Sequence, residues 1–141
     1  MIKLKDEAIK TIILQREPMM MVDTFYGATE SETNTGLTIV DDNLFCSNGL
    51  FTEPGLIEHI AQSASAFWGY KALLANRPSP LGFLGEVKKC SIHFLPKVGD
   101  ELSTSIRFIS EALGVSLFVA ETKVNGTIVV ECQMKIFITP S

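Results

Sequence analysis

The chain has 141 residues, 46% of them hydrophobic and 20% charged, and a net charge of −4. That length suits a single domain over residues 1–141, and the apolar content fills a core with some left over for an oligomer interface. The lack of a basic run argues against nucleic acid, and the lack of a run of about 18 apolar residues argues against a membrane span. Cys46, Cys90 and Cys132 show no paired spacing, which points to a reduced, cytoplasmic setting with neither metal nor cofactor.

The N-terminal MIKLKDEAIK carries acids and no continuous apolar run, so no signal peptide is expected. Residues 5–14 (KDEAIKTIIL) predict a short amphipathic helix, with Ala8, Ile9, Ile12 and Ile13 as its apolar stripe. Gln15-Arg16-Glu17-Pro18 reads as a turn, and the methionine run after it as adaptable packing material. Residues 20–31 predict a strand carrying Val22, Phe25 and Gly27, and residues 34–40 its hairpin partner. Asp41-Asp42-Asn43 is a turn signal, and Leu44 to Phe51 reads as a loop.

Asn48 to Tyr70 holds the longest helical pattern. Ile57, Ile60, Ala61, Ala64 and Trp68 share one face, while the other carries Ser63, Ser65, Ala66 and Phe67 instead of charges. A helix that is apolar or small nearly all round is a buried one. Thr52 suits the N-cap and Pro54 the first turn. Glu58 needs an explanation, because a carboxylate on such a helix is costly unless it is hydrogen-bonded or reaches water. Either it lies at the helix edge, or it is a general acid or base.

After the Pro-rich break at 76–80 the chain becomes β. Residues 81–95 alternate near their end, with Cys90, Ile92 and Phe94 on one face; residues 101–111 alternate again. Residues 115–124 and 127–139 predict two more strands joined by Asn125-Gly126, the strongest short hairpin signal. Strands on both sides of one apolar helix predict an α+β fold, a single antiparallel sheet wrapped around that helix.

Three segments carry a family resemblance. Glu53-Pro-Gly-Leu-Ile-Glu-His-Ile-Ala-Gln62 is similar to a Pro-Gly … Glu-x-x-Ala-Gln helix signature. Arg16-Glu-Pro-Met-Met-Met-Val-Asp23 is similar to an Arg-x-Pro-x-x-x-Val-Asp segment. Phe94-Leu-Pro-Lys-Val-Gly-Asp-Glu-Leu102 is similar to a strand–Pro-x-x-Gly-Asp-x-Leu turn. In that order they resemble the hotdog fold and, within it, the FabZ- and FabA-type 3-hydroxyacyl-acyl-carrier-protein dehydratases of fatty-acid biosynthesis.

The resemblance implies a site at a dimer interface, in a homodimer by default or a heterodimer with a second hotdog subunit. The substrate would be a thioester of acyl carrier protein or CoA; a local basic patch such as Lys88-Lys89 would receive an acidic carrier. Glu58 matches the helix carboxylate, and Gln62 the glutamine that positions the site. Gly55 lies near the helix N-terminus, where such enzymes bind the thioester oxygen with backbone N–H groups. The small residues Ala61, Ala64, Ser65 and Gly69 leave room for an acyl chain or for close packing. Phe83 and Leu84 would line the mouth of a tunnel, and Gly82 and Gly85 suggest close backbone approach or a bulge.

One departure from the family pattern matters. Where the family carries a catalytic His in a His-Phe-Pro-Gly-like loop, this chain reads Asp42-Asn43-Leu44-Phe45-Cys46-Ser47-Asn48-Gly49. Asn43 or Asn48 would occupy that space and contact substrate, but asparagine cannot act as an imidazole base. The two histidines, His59 and His93, read as structural or surface residues. Three readings stand: a dehydratase completed by another group or a partner's residue, a hotdog thioesterase using Glu58 to activate water, or a non-catalytic acyl-carrier-binding subunit.

Overall fold

The central apolar stretch is a 22-residue helix, α1, Glu53–Leu74, in a computed structural model that describes residues 1–139. Thr52 holds the N-cap position in extended backbone, but its hydroxyl donates to the Phe45 carbonyl at 2.6 Å instead of capping the helix. Pro54 sits in the first turn, where no N–H is needed.

A seven-stranded antiparallel sheet wraps around this helix. Its strands are β1 (Leu4–Lys5), β2 (Thr24–Ala28), β3 (Glu32–Thr38), β6 (Leu81–Ile92), β7 (Glu101–Ala112), β8 (Val115–Val124) and β9 (Thr127–Thr139), in spatial order β1-β2-β3-β7-β8-β9-β6. A separate hairpin, β4 (Cys46–Ser47) and β5 (Leu50–Phe51), precedes α1. This is the hotdog architecture anticipated from the resemblance.

The core follows from period-two alternation. On β8, Phe118, Ala120, Thr122 and Val124 point inward and are buried, and β9 adds Cys132, Met134 and Ile136. They meet Leu56, Ile60 and Ala64 of α1. A second cluster joins Ile9, Ile12 and Ile13 to Val22, Phe25 and Ala66. Each fully buried aliphatic or aromatic side chain stabilises the fold by about 1.5–3 kcal/mol. At Gly69 the helix lies directly against the Ile12 carbonyl, where a Cβ would overlap it.

Several expectations need correction. Residues 5–14 are not an amphipathic α-helix: Leu4–Lys5 joins the sheet and Asp6–Thr11 is a 3-10 helix. The isoleucines still bury, because one tight turn brings Ile9, Ile12 and Ile13 to the same side. The loop from Leu44 to Phe51 contains the β4–β5 hairpin, turned by Asn48-Gly49 with φ of 53° and 77°. Those are the positive φ values that Asn125-Gly126 adopts at 49° and 79°. The alternation read across Cys90, Ile92 and Phe94 is broken by a bulge between Lys88 and Ser91, and β6 ends at Ile92. The helix stripe is broader than read: Leu56, His59, Ser63, Ala66 and Phe67 are buried beside Ile60 and Ala64. Ile57, Ala61 and Trp68 are only half-buried and, with Ser65, mark the open side of α1.

β6 is an edge strand, and it exposes Leu81, Phe83, Leu84 and Val87. A long apolar edge invites pairing with another chain. Among the described residues, no helix is long and apolar enough to cross a membrane.

Candidate active site around Glu58

The site begins with a buried amide. Gln62 is fully shielded on α1, so its carboxamide must find partners. Its Oε1 accepts the Met21 N–H at 2.7 Å, and its Nε2 donates to the Met19 carbonyl at 2.7 Å and to Glu58 Oε2 at 2.8 Å. One side chain therefore ties the helix carboxylate to the 19–21 segment, the strip containing the methionine run.

Glu58 is half-buried. Its second oxygen takes no hydrogen bond from the described residues. The carboxylate lines a cavity of about 200 Å³ between the open side of α1 and the edge strand β6. Ile57, Ala61 and Ile136 supply apolar walls; Gly82, Phe83 and Leu84 bound it from β6; Gln15 and Ser65 are its other polar groups. A Cβ on Gly82 would sit 3.3 Å from Ser65 Oγ, so glycine there lets β6 approach the helix. At Gly85 a bulge lets the Phe137 ring lie where a Cβ would be.

His59 faces away from the carboxylate and is sealed in the core. Its Nδ1 lies 2.7 Å from the Met21 carbonyl and its Nε2 2.7 Å from Thr104 Oγ1, which lies 2.7 Å from Thr122 Oγ1. A carbonyl only accepts, so Nδ1 carries the proton and Thr104 donates to Nε2. Burial pushes the imidazole down to about 4, so it is neutral at physiological pH. His93 is exposed, 3.6 Å from Glu131 on the sheet.

The remaining expected site residues sit elsewhere. Gly55 is not a free oxyanion donor: its N–H donates to the Thr52 carbonyl at 3.0 Å. Glycine is needed there because a Cβ would overlap Phe51 and Phe45, so the position fits the β4–β5 hairpin onto the helix start. Asn43 closes its own loop, accepting the Phe45 N–H at 2.8 Å and reaching Met21 Sδ at 3.4 Å. Asn48 is exposed in the β4–β5 turn. Neither lines the cavity within this chain. Of the residues singled out, Glu58 and Gln62 come together, with Ala61, Ser65, Phe83 and Leu84 around the carboxylate.

The sequence reading passed over Gln15, taken as part of a turn. Its only signal was proximity to Arg16 in the Arg-x-Pro segment. Lys88 pairs with Glu86 at 3.5 Å, and Lys89, with a φ of 48° at the bulge, lines a hollow on the face of the sheet away from α1. That hollow, of about 590 Å³ among Glu32, Arg107, Glu121 and Gln133, is lined by neither Glu58 nor Gln62.

Comparisons with known proteins agree with this fold. A family model described as ApeP dehydratase, of the ApeP-like group, matches residues 7–141. The chain is 26% identical over 133 residues to the 3-hydroxyacyl-[acyl-carrier-protein] dehydratase FabZ of Vibrio cholerae, covering 90% of this chain and 86% of that protein. Its fold superposes on a chain of the dehydratase heterocomplex ApeI:P from Xenorhabdus doucetiae with a TM-score of 0.87 at 15% identity, covering 94% and 91% of the two chains. It also resembles a hypothetical thioesterase bound to coenzyme A from Streptococcus pneumoniae, with a TM-score of 0.61 at 11% identity, covering 83% and 85%.

Proposed function

The chain belongs to the ApeP-like dehydratase family, and from that premise we propose that it works on 3-hydroxyacyl thioesters of an acyl carrier protein, with Glu58 performing one of the two proton transfers of dehydration. The observation that carries this reading is the Glu58 carboxylate, fixed through Gln62 and facing a small, largely apolar cavity.

Loss of water requires a base to take the C2 proton and an acid to protonate the C3 hydroxyl. The C2–H electrons form the C2=C3 double bond, the C3–O bond breaks, and water leaves. Charge builds on the thioester oxygen, which needs hydrogen-bond donors. Glu58 is held in place by an uncharged donor, so its free oxygen is available to give or take a proton. Each well-placed acid or base contributes about 10²–10⁴ in rate.

The second group comes from a second hotdog chain. The cavity opens beside β6, whose outer edge is apolar and pairs with no other strand among the described residues. A partner strand on that edge would close the cavity and bring its own loop to Glu58. The relative described as a dehydratase heterocomplex supports a different chain in that place. Neither histidine of this chain lines the cavity. That observation favours a second reading, in which the chain binds the acyl carrier and leaves all proton transfer to the partner.

The test is reconstitution. The chain is mixed with 3-hydroxyacyl carrier protein alone, and then with a second, histidine-bearing hotdog subunit, and the 2-enoyl product is followed by mass spectrometry. Product only in the mixture, lost on Glu58→Gln, is the expected outcome. Product that survives Glu58→Gln supports the binding-subunit reading. Free acid released by the chain alone would identify a thioesterase.

A further inference from the structure

Two side chains of α1, His59 and Gln62, grip the same residue of the segment on which Glu58 depends. Met21 lies between Pro18 and β2, where the chain has left the turn and has not yet joined the sheet. Its N–H donates to Gln62 Oε1 at 2.7 Å, and its carbonyl accepts from His59 Nδ1 at 2.7 Å. Neither group takes part in a backbone–backbone hydrogen bond among the described residues. The polar groups of the Met21 backbone are therefore satisfied by the helix alone, as buried groups must be.

His59 is the fixed end of this grip. It is fully buried, and its Nε2 accepts from Thr104, which pairs with Thr122 across the interior strands β7 and β8. The imidazole cannot turn without breaking both of its bonds. Gln62 is less self-sufficient, because the last torsion of a glutamine side chain has no sharp preference of its own. The Met21 N–H at Oε1 sets that torsion, and with it the direction in which Nε2 meets Glu58 Oε2 at 2.8 Å. A line of contacts, each 2.7 or 2.8 Å long, thus runs from Thr122 through Thr104, His59, Met21 and Gln62 to Glu58.

We propose that His59 is a positioning residue for Glu58: it holds the Met21 carbonyl, Met21 orients the Gln62 carboxamide, and the carboxamide aims the carboxylate. This rests on the reading of Glu58 as a proton-transfer group. His59 does not line the cavity, so it acts through that line of contacts and not on the substrate. Its bond to Met21 therefore affects kcat and leaves KM alone, because the walls of the cavity stay in place while the carboxylate swings. A misplacement of about 1 Å at a reacting group costs about 10²-fold in rate, so a loosened carboxylate loses about 10- to 100-fold.

Two substitutions separate the two ends of the ring. The amide of an asparagine stands where Nδ1 stands, and that of a glutamine where Nε2 stands. His59→Asn keeps the bond to Met21 and gives up Thr104; His59→Gln does the reverse. Each chain, mixed with a histidine-bearing hotdog subunit, is assayed for 2-enoyl product well below its melting temperature. The expected kcat is about 10- to 100-fold lower in His59→Gln, with KM within about twofold, and within about threefold of the parent in His59→Asn. Both variants melt lower than the parent, since each loses one buried hydrogen bond, so a merely structural histidine would not separate them. Equal losses of kcat in the two variants, or no loss in His59→Gln, overturn the assignment. Nitrogen-15 NMR of the unaltered chain at pH 7 should show His59 as the Nδ1–H tautomer. The Nε2–H tautomer cannot donate to the Met21 carbonyl and overturns the assignment even where a variant fails to fold. A parent mixture that makes no product overturns the dehydratase reading instead. Hydrogen exchange of the Gln62 side-chain amide then decides the role of His59: exchange about 10-fold faster in His59→Gln than in His59→Asn supports it, and equal exchange overturns it.

Discussion

Gln62 Nε2 donates to Glu58 Oε2 at 2.8 Å, across one turn of the same helix. The remaining bonds of Gln62 go to Met19 and Met21, more than 40 residues earlier in the chain. The carboxylate is therefore oriented by a residue that is itself locked to a different segment of the fold. Glu58 can be altered without disturbing the core, whereas Gln62 cannot.

Replacing Gln62 by Met leaves the Met21 N–H and the Met19 carbonyl without their partner. The buried Met21 N–H so orphaned costs about 1–3 kcal/mol, and the partly exposed Met19 carbonyl less. The unfolding midpoint in urea should fall markedly, with the slope unchanged. An unchanged midpoint would mean that the 19–21 segment is held by something else. Glu58→Gln, in contrast, should leave the midpoint close to that of the parent.

His59 makes stability depend on pH. Its imidazole is held down to about 4 by burial, below its ordinary value of 6.5. Between those values the unfolded chain binds a proton that the folded chain does not, so stability falls as pH drops from 6.5 toward 4 and is fully present above 6.5. The shift corresponds to roughly 3 kcal/mol. Denaturant unfolding at pH 7 and pH 4.5 should show the loss, and His59→Leu should show a shallower dependence. A variant with the same pH slope as the parent would assign the effect to other groups.

Gly69 cannot accept a side chain. Its Cβ would overlap the Ile12 carbonyl, which is backbone and has little freedom to yield. Gly69→Ala should destabilise the protein by at least about 1–3 kcal/mol, the usual range for overpacking, even though alanine is the better helix former. Calorimetric melting decides this. A raised melting temperature would show that the N-terminal segment moves aside without loss.

Legibility in the sequence tracked the range of the interactions. β8 and β9 were readable to the residue, because strict alternation and Asn125-Gly126 are local signals. The N-terminal isoleucines were correctly marked as core, but their periodicity suited an α-helix as well as the 3-10 turn that tertiary packing selects. Asn48-Gly49 carried the same turn signal as Asn125-Gly126, yet the strands it joins are only two residues each and left no alternation to read. Glu58 was conspicuous as a charge on an apolar helix. The positioning role of Gln62 came from resemblance, while its bonds to Met19 and Met21 join distant segments and left no local trace. The room that Gly55 makes for Phe45 and Phe51 also left no local trace, because those rings come from the loop and hairpin before the helix.

The central claim is that Glu58 transfers a proton during dehydration. The most direct measurement is the rate of 2-enoyl formation from 3-hydroxyacyl carrier protein by the chain mixed with a histidine-bearing hotdog subunit, parent against Glu58→Gln, at matched occupancy of the substrate. The variant keeps the shape of the side chain and its bond to Gln62. The account predicts a rate lower by about 10²–10⁴ with substrate binding and melting temperature preserved. A rate within about twofold of the parent, at the same occupancy, would contradict a catalytic Glu58 and leave the chain as a carrier-binding subunit.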